Sequence, residues 1–370
     1  MGKYPDLFQH SNYITNSSCR GHVHVVMGNE ACDLDSAVCA LIYAYHLYSL
    51  NQNKKSFSFI PLLNIPQADY ALRTEIIFWL RKHDIQEEFL TFRNELDLES
   101  QLSNGELEIT LVDHNILPAN DAALEPAVVQ VLDHHKLERQ VDSLPNGMSV
   151  EMVGSCTTLI AESIKKTNKD IVDPIVASLL HGTILLDTVN LSEQAKRVTP
   201  KDIEMVEWLE EYLGNSERES VFKGLTTAKA DVSTLTCEQM LRKDLKVASG
   251  TQVRVGVASV PMLVKDFLGR SDTNFGNLHE HCELYKYNIL VIMGINIVDN
   301  NVERDMAIFS EDSSLLNEVS SYLISASDNI LKLSSFTCDI KDVKAFSQGN
   351  AAASRKVVLP FVKEWLTGQL

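Results

Sequence analysis

The chain has 370 residues, more than one hydrophobic core normally serves, and its length reads as two domains. A composition of 45% hydrophobic and 22% charged residues excludes a disordered chain. With 33 Lys and Arg against 50 Asp and Glu, the net charge of −17 excludes a nucleic-acid backbone binder built on a broad basic face; a local cationic pocket for a small anion remains compatible with it.

The first half alternates strand and helix signals. His22–Met27 is a short β-branched run ending at Gly28, followed by helical spacing over Leu34–Leu50. Phe57–Leu63 predicts a second strand and Tyr70–His83 an amphipathic helix. Ile109–Val112 and Val128–Leu132 read as buried strands, each ending directly on an Asp; Ser155–Lys166 and Pro174–Thr188 read as helices. Strands alternating with helices predict a parallel sheet in an α/β domain, whose ligands bind beyond the carboxyl ends of the strands.

The pattern changes near Ser192–Lys201. Thr199-Pro200-Lys201-Asp202 opens a helix over Lys201–Leu213 with an N-cap, a proline at the first helical position and an early acid. Gly214–Glu219 is the expected linker. Thr236-Cys237-Glu238-Gln239 has capping-box spacing for a helix through Leu245. Strands over Thr251–Val260, Ile289–Val298 and Val302–Phe309 follow, the last two joined by a hairpin turn at Asp299-Asn300-Asn301. The expected organisation is a catalytic α/β domain over 1–198, a helix and linker over 199–219, and a smaller α+β domain with a mixed or antiparallel sheet over 220–370.

Seven scattered cysteines without a CxxC pair argue against a zinc site or disulfide framework and for a reducing compartment. The amino terminus has no apolar secretory core, and no apolar run is long enough to span a bilayer. The expected location is cytoplasmic, with the Ser- and Asn-rich, acid-poor first twenty residues leaving a mitochondrial alternative.

Four segments deliver acids or histidines to strand or helix ends. They are GNEACDLDS with Asn29, Asp33 and Asp35, LVDHN with Asp113 and His114, VLDHH with Asp133, His134 and His135, and HGTILLDT with Asp187. Singly each has an ordinary explanation: an N-cap for Asp33 or Asp35, a turn for Asn29, a loop histidine for His114, a hydrogen-bonded buried acid for Asp187. Together, in one parallel α/β domain, they make a set of carboxylates with one or two imidazoles and no thiolate. That set suits Mn²⁺ or Mg²⁺, and two such ions ~3.5–4 Å apart can share a bridging hydroxide and clamp a phosphoryl group for in-line attack. The residues alone thus predict a two-metal phosphoesterase or phosphoanhydride hydrolase.

In this order the motifs resemble the DHH phosphoesterase superfamily, in its prune-type branch related to cytosolic exopolyphosphatase and family II inorganic pyrophosphatases. The resemblance spans nearly the whole chain and implies an N-terminal DHH domain followed by a DHHA2-like domain that closes over the cleft. It implies Asn29, Asp33, Asp113 and Asp187 as ligands of one metal, and Asp35, Asp113, His134 and Asp187 around the other. Asp133 would orient the histidine pair, and His135 would face the substrate phosphate or leaving oxygen. The pyrophosphatases have His where this chain has Asn29; vertebrate prune proteins have Arg where it has His135. Lys229 in TTAKAD resembles the DHHA2 substrate lysine, and Arg355 and Lys356 in SRKVVLP its carboxyl-terminal basic motif. Alone, that basic pair would be solvated surface charge.

The implied activity is hydrolysis of short inorganic polyphosphate, releasing orthophosphate with two divalent metals, Mn²⁺ or Mg²⁺. The alternatives are a cyclic-nucleotide phosphodiesterase on the same site and a regulatory binding protein with a degenerate metal site. The expected partner is a small phosphate anion, without nucleic-acid backbone or membrane; protein partners and oligomeric state are not legible.

Overall fold

The computed structural model describes residues 22–52, 57–140, 144–214, 217–298, 301–326 and 330–368. They form two compact units that divide between Asp231 and Val232.

The first unit contains β1 (His22–Met27), α1 (Leu34–Leu50), β2 (Phe57–Leu63), α2 (Thr74–Lys82), β3 (Thr91–Phe92), α3 (Leu98–Ser103), β4 (Leu107–Val112), β5 (Val128–Asp133), β6 (Met148–Val150), α4 (Cys156–Thr167), α5 (Pro174–Asp187), α6 (Pro200–Leu213) and α7 (Arg218–Ala230). Its six strands run in the order β3-β2-β1-β4-β5-β6, and every pairing is parallel. Alternate residues of β1 face opposite sides, as strand geometry requires. Val26 joins a core with α1, α2, α4, α5 and α6, while Val23, Val25 and Met27 join a second core under α3 and Leu117–Ala127. The strand order reverses between β1 and β4, so a crevice for ligand lies beyond their carboxyl ends. Asn29 and Asp113 follow those two ends.

Several boundaries differ from expectation. The predicted helix over Tyr70–His83 is a 3₁₀ segment, Gln67–Leu72, and the separate helix α2. Arg73 divides them, because its Nε donates to the carbonyls of Ala31 (2.9 Å) and Cys32 (3.0 Å) in the first motif loop. Arg218 and Glu219, expected in the linker, open α7. That helix packs on α2 and α5, so the first unit extends beyond the stretch that composition marks as its end.

The second unit contains α8 (Cys237–Lys243), β7 (Leu245–Ser249), β8 (Arg254–Val260), α9 (Val264–Leu268), α10 (Phe275–Tyr285), β9 (Ile289–Val298), β10 (Asn301–Phe309), α11 (Ser313–Ala326), β11 (Leu333–Phe336), β12 (Val343–Gln348) and α12 (Arg355–Thr367). Its sheet order is β11-β12-β10-β9-β8-β7, with β8 and β9 parallel and the other neighbours antiparallel. The mixed α+β character follows the expectation. Helix α8 stops at Lys243, short of the predicted Leu245, because Leu245 pairs with Ala258 in the β7–β8 ladder. Asp299 and Asn300 of the predicted hairpin turn lie outside the described residues. No described helix is long and apolar enough to cross a membrane.

Candidate metal centre

The loop from β1 to α1 is shaped before any ligand is considered. A Cβ on Gly28 would come within 2.5 Å of Ser36 Oγ, and that hydroxyl accepts from the Asn29 N–H at 2.6 Å. Asp33 caps α1 by accepting from the Ser36 N–H (3.1 Å), the ordinary helix-start role that the sequence allows it. Asp35, one turn in, is buried against the start of α4. Its Oδ2 accepts from the Cys156 N–H (2.7 Å), and its Oδ1 from the Thr157 N–H (2.8 Å) and hydroxyl (2.5 Å). A helix amino terminus has spare N–H groups and a favourable dipole for such a charge. Sequence reasoning places Asp35 in the site but misses these partners, which lie over a hundred residues away.

Asn29 is oriented by its neighbours. The Cys32 N–H can only donate, so the amide atom 3.0 Å from it is Oδ1. The amide nitrogen therefore faces Asp113, donating to Oδ2 (2.8 Å) and to the carbonyl (3.2 Å). A ligand role for Asn29 falls to the second lone pair of its oxygen, the first being taken by Cys32.

Asp113 stands just past β4, buried, with φ +63°. His134, just past β5, donates from Nδ1 to the Val153 carbonyl (3.0 Å), which leaves Nε2 to turn toward the acids. That Nε2 lies 3.2 Å from Asp113 Oδ1 and 3.8 Å from Asp35 Oδ2. Two acceptors at 3.2 Å repel unless a proton or a metal cation is shared between them. His135 instead turns Nδ1 to Asp133 Oδ1 (2.8 Å), which leaves Nε2 outward on a half-exposed ring. Asp133 is fully buried and also accepts from the backbone N–H groups of His134 (2.8 Å) and His135 (3.2 Å). A cavity of about 310 Å³ opens here, lined by Asn29, Asp113, His114, Asn115, Asp133 and His135 among others.

The electrostatics are those of a crowded set of buried acids. Burial, and then the charge of Asp35, push the Asp113 carboxyl up to about 8. Burial and the Asp35 and Asp33 charges hold the Asp187 carboxyl, at the end of α5, well above its ordinary range. Burial also raises Asp33, with Asp35 adding to it. Burial works against a charged His134, but its hydrogen bond to Asp113 and the Asp35 charge win and raise it to about 10. Asp187 Oδ2 is buried without a hydrogen-bond donor, and Asp113 Oδ1 has only His134 Nε2 to meet it. Asp113, His134 and His135 bring ligand atoms within 4.8 Å of one another. Buried carboxylates beside an imidazole and without a thiolate fit a hard divalent metal.

Residues 24–184 match the model of the DHH family, N-terminal domain, and residues 223–365 that of the DHHA2 domain. The chain is 41% identical to Exopolyphosphatase PRUNE1 of Homo sapiens over 347 residues, covering 93% of this chain and 76% of that protein. It belongs to the prune-type DHH exopolyphosphatases. It is also 26% identical to Protein prune homolog 2 of Mus musculus over 343 residues, 92% of this chain but 11% of that protein. A Manganese-dependent inorganic pyrophosphatase of Methanothrix thermoacetophila is 26% identical over 193 residues, 52% of this chain and 61% of that one.

Within this prune-type chain, the four strand- and helix-end motifs are brought together in the first unit. Lys229, inside the DHHA2 match, lies near the carboxyl end of α7 in the same unit, and its charge reaches Asp33. Arg355 and Lys356 lie in the second unit. Arg355 forks onto Asp244, with Nη1 donating to the carbonyl (2.5 Å) and Nη2 to Oδ1 (2.6 Å); Lys356 is exposed. His114, which received no role, bonds the Val112 carbonyl at 2.9 Å, and burial lowers its pKa.

Proposed function

We propose that this chain is a metal-dependent hydrolase of phosphoanhydride bonds, and more closely a short-chain exopolyphosphatase that releases orthophosphate from the chain end. The observation that carries the reading is the close approach of Asp113 Oδ1 and His134 Nε2, 3.2 Å apart, together with a buried Asp187 Oδ2 that has no hydrogen-bond donor. Two divalent ions, Mn²⁺ or Mg²⁺, are assigned to Asp33, Asp35, Asp113, His134 and Asp187, with Asn29 at the edge of the set. Such ions, when bound, neutralise phosphoryl oxygens and lower the pKa of water to a range useful near neutral pH. The names of the curated relatives, exopolyphosphatase and manganese-dependent pyrophosphatase, support this chemistry.

The chain's own residues divide the remaining work. The Val153 carbonyl takes the Nδ1–H of His134, so Nε2 is the nitrogen left to turn toward a metal. Asp133 holds His135 by Nδ1, so that Nε2 can donate to the leaving phosphate oxygen. Burial acts against the Asp133 anion, but the hydrogen bonds from His135 and Asn115 prevail and hold its carboxyl below the usual range. Lys229 supplies positive charge beside Asp33 for a phosphoryl group. Arg355 and Lys356 are the second unit's phosphate cations in this reading, and Arg355 must exchange Asp244 for phosphate oxygens.

The test is phosphate release from pyrophosphate, tripolyphosphate and tetrapolyphosphate beside cyclic-nucleotide hydrolysis, each with Mn²⁺ and with Mg²⁺. Fastest turnover on the short polyphosphates, abolished by a chelator, is expected. Preferential opening of a cyclic nucleotide would overturn the substrate assignment, and metal-independent turnover would overturn the site.

A further inference from the structure

One buried side chain beside the cavity does more than lower the Asp133 carboxyl. Asn115, two residues beyond Asp113, is 5% exposed and spends its whole amide on the loop that carries the histidine pair. Its Nδ2 donates to Asp133 Oδ2 (2.5 Å) and to the Lys136 carbonyl (3.0 Å), while its Oδ1 accepts from the Glu138 N–H (2.9 Å). The orientation is dictated chemically: the Glu138 N–H can only donate and the Lys136 carbonyl can only accept. The backbone carbonyl of Asn115 also accepts from Arg139 Nη1 (3.2 Å), closing the loop from its far side.

These bonds divide the Asp133 carboxylate in two. Oδ2 is held by Asn115, while Oδ1 takes the His134 N–H, the His135 N–H and His135 Nδ1. A carboxylate with both oxygens held cannot rotate about its Cβ–Cγ bond without breaking strong bonds on both sides. The ring it holds therefore keeps one tautomer and one direction, which is what a proton donor to a leaving group requires. We infer that Asn115 is a positioning residue for His135, acting through Asp133, and that it fixes the loop 133–138 over the cavity. The inference rests on His135 being the residue that faces the leaving phosphate.

A double-mutant cycle on tripolyphosphate tests it, using the full chain with saturating Mn²⁺. Asn115→Asp keeps the volume and the acceptor for Glu138 but places a carboxylate oxygen against Asp133. Asn115→Ala removes both amide donors without adding charge and serves where the first variant fails to fold. Second-layer hydrogen bonds of this kind carry roughly 10–100-fold in activity. The expected result is a kcat loss of that size with KM and calorimetric Mn²⁺ affinity nearly unchanged. In a His135→Ala background the Asn115 substitution should cost nothing further, because the two act as one unit. A merely structural asparagine would lower stability and give losses that multiply. Multiplying losses, a parallel fall in Mn²⁺ affinity, or no loss in kcat would overturn the inference. Full activity in His135→Ala alone would instead mark the failure of the reading it rests on.

Discussion

Each sheet buries an aspartate, and the surroundings treat the two in opposite ways. Asp305, on β10 of the second unit, accepts from the Val264 N–H at 2.5 Å with Oδ1 and from the Lys265 N–H at 3.0 Å with Oδ2. It thereby holds the first turn of α9, and both oxygens are satisfied by backbone. Asp113, past β4 of the first unit, has one oxygen held by Asn29 and the other 3.2 Å from His134 Nε2. Burial raises both carboxyls, so burial alone does not separate them. The difference lies in the partners: both oxygens of Asp305 are fixed by backbone N–H groups, while one oxygen of Asp113 faces a side-chain nitrogen that can share either a proton or a cation with it.

The contrast breaks first on activity against stability. Asp113→Ala should lower turnover by ~10³-fold or more, since several kcal/mol of charge stabilisation are lost with a shared metal ligand. The metal-free variant should melt no lower than the parent, because a carboxyl that burial holds far above its ordinary range has gone. Retention of half the parental rate at saturating metal would remove Asp113 from the site. Asp305→Ala should do the reverse, costing about 3–4 kcal/mol of stability through two lost charge-assisted bonds. Denaturant unfolding measures it, and an unchanged midpoint would show that the cap on α9 is dispensable.

Acid titration sharpens what the two units share. Burial lowers the imidazole of His46 in the first unit to about 4, and it does the same to His281 in the second. Each folded pKa lies below the ordinary value near 6.5, so between pH 6.5 and 4 the unfolded chain binds more protons. Stability therefore falls as pH drops through that window, by roughly 2–3 kcal/mol per ring once fully realised. His281→Phe should remove its share, seen as a smaller difference between unfolding free energies at pH 7 and pH 4.5. Asp113 and Asp187, with raised pKa values, act the other way: the metal-free chain loses their contribution as pH rises above about 4.

Smaller effects are expected where the cation is already engaged. Arg355→Ala should reduce kcat/KM for tripolyphosphate about tenfold, at the low end for a charge-assisted contact, because Asp244 competes for the guanidinium. Cyclic-nucleotide hydrolysis and the metal requirement should move less; equal losses on both substrates would place Arg355 at the reacting phosphorus. Asn29→His should tighten Mn²⁺ only a few-fold, by less than about 1 kcal/mol, since the imidazole must replace bonds to both Cys32 and Asp113. A change beyond a hundredfold in a metal titration would mean that the amide oxygen had been a poor ligand all along.

Much of the fold was legible where periodicity and punctuation agree. Strand β1, helix α1, strand β2 and strand β9 run over the predicted ranges, because a β-branched run before Gly28 and an apolar helical stretch offer few alternatives. The capping signals before α6 and α8 are made in full, Thr199 with Asp202 and Thr236 with Gln239. The failures are tertiary. Arg73 interrupts a predicted helix to reach the carbonyls of Ala31 and Cys32, and Leu245 leaves a predicted helix to pair with Ala258. No local pattern announces either partner.

The same division runs through the site. Which residue types stand at the ends of β1, β4, β5 and α5 can be read along the chain, because short buried strands followed at once by Asp or His leave those side chains no other place. What each of them does there depends on partners brought in by the fold. Asp35 meets the start of α4, Asn29 turns its nitrogen rather than its oxygen to Asp113, and Asn115 divides Asp133 between a loop and a histidine. The reason is directional: spacing along a chain reports which atoms can come near one another, but a donor or a lone pair has a role only once the atom facing it is known.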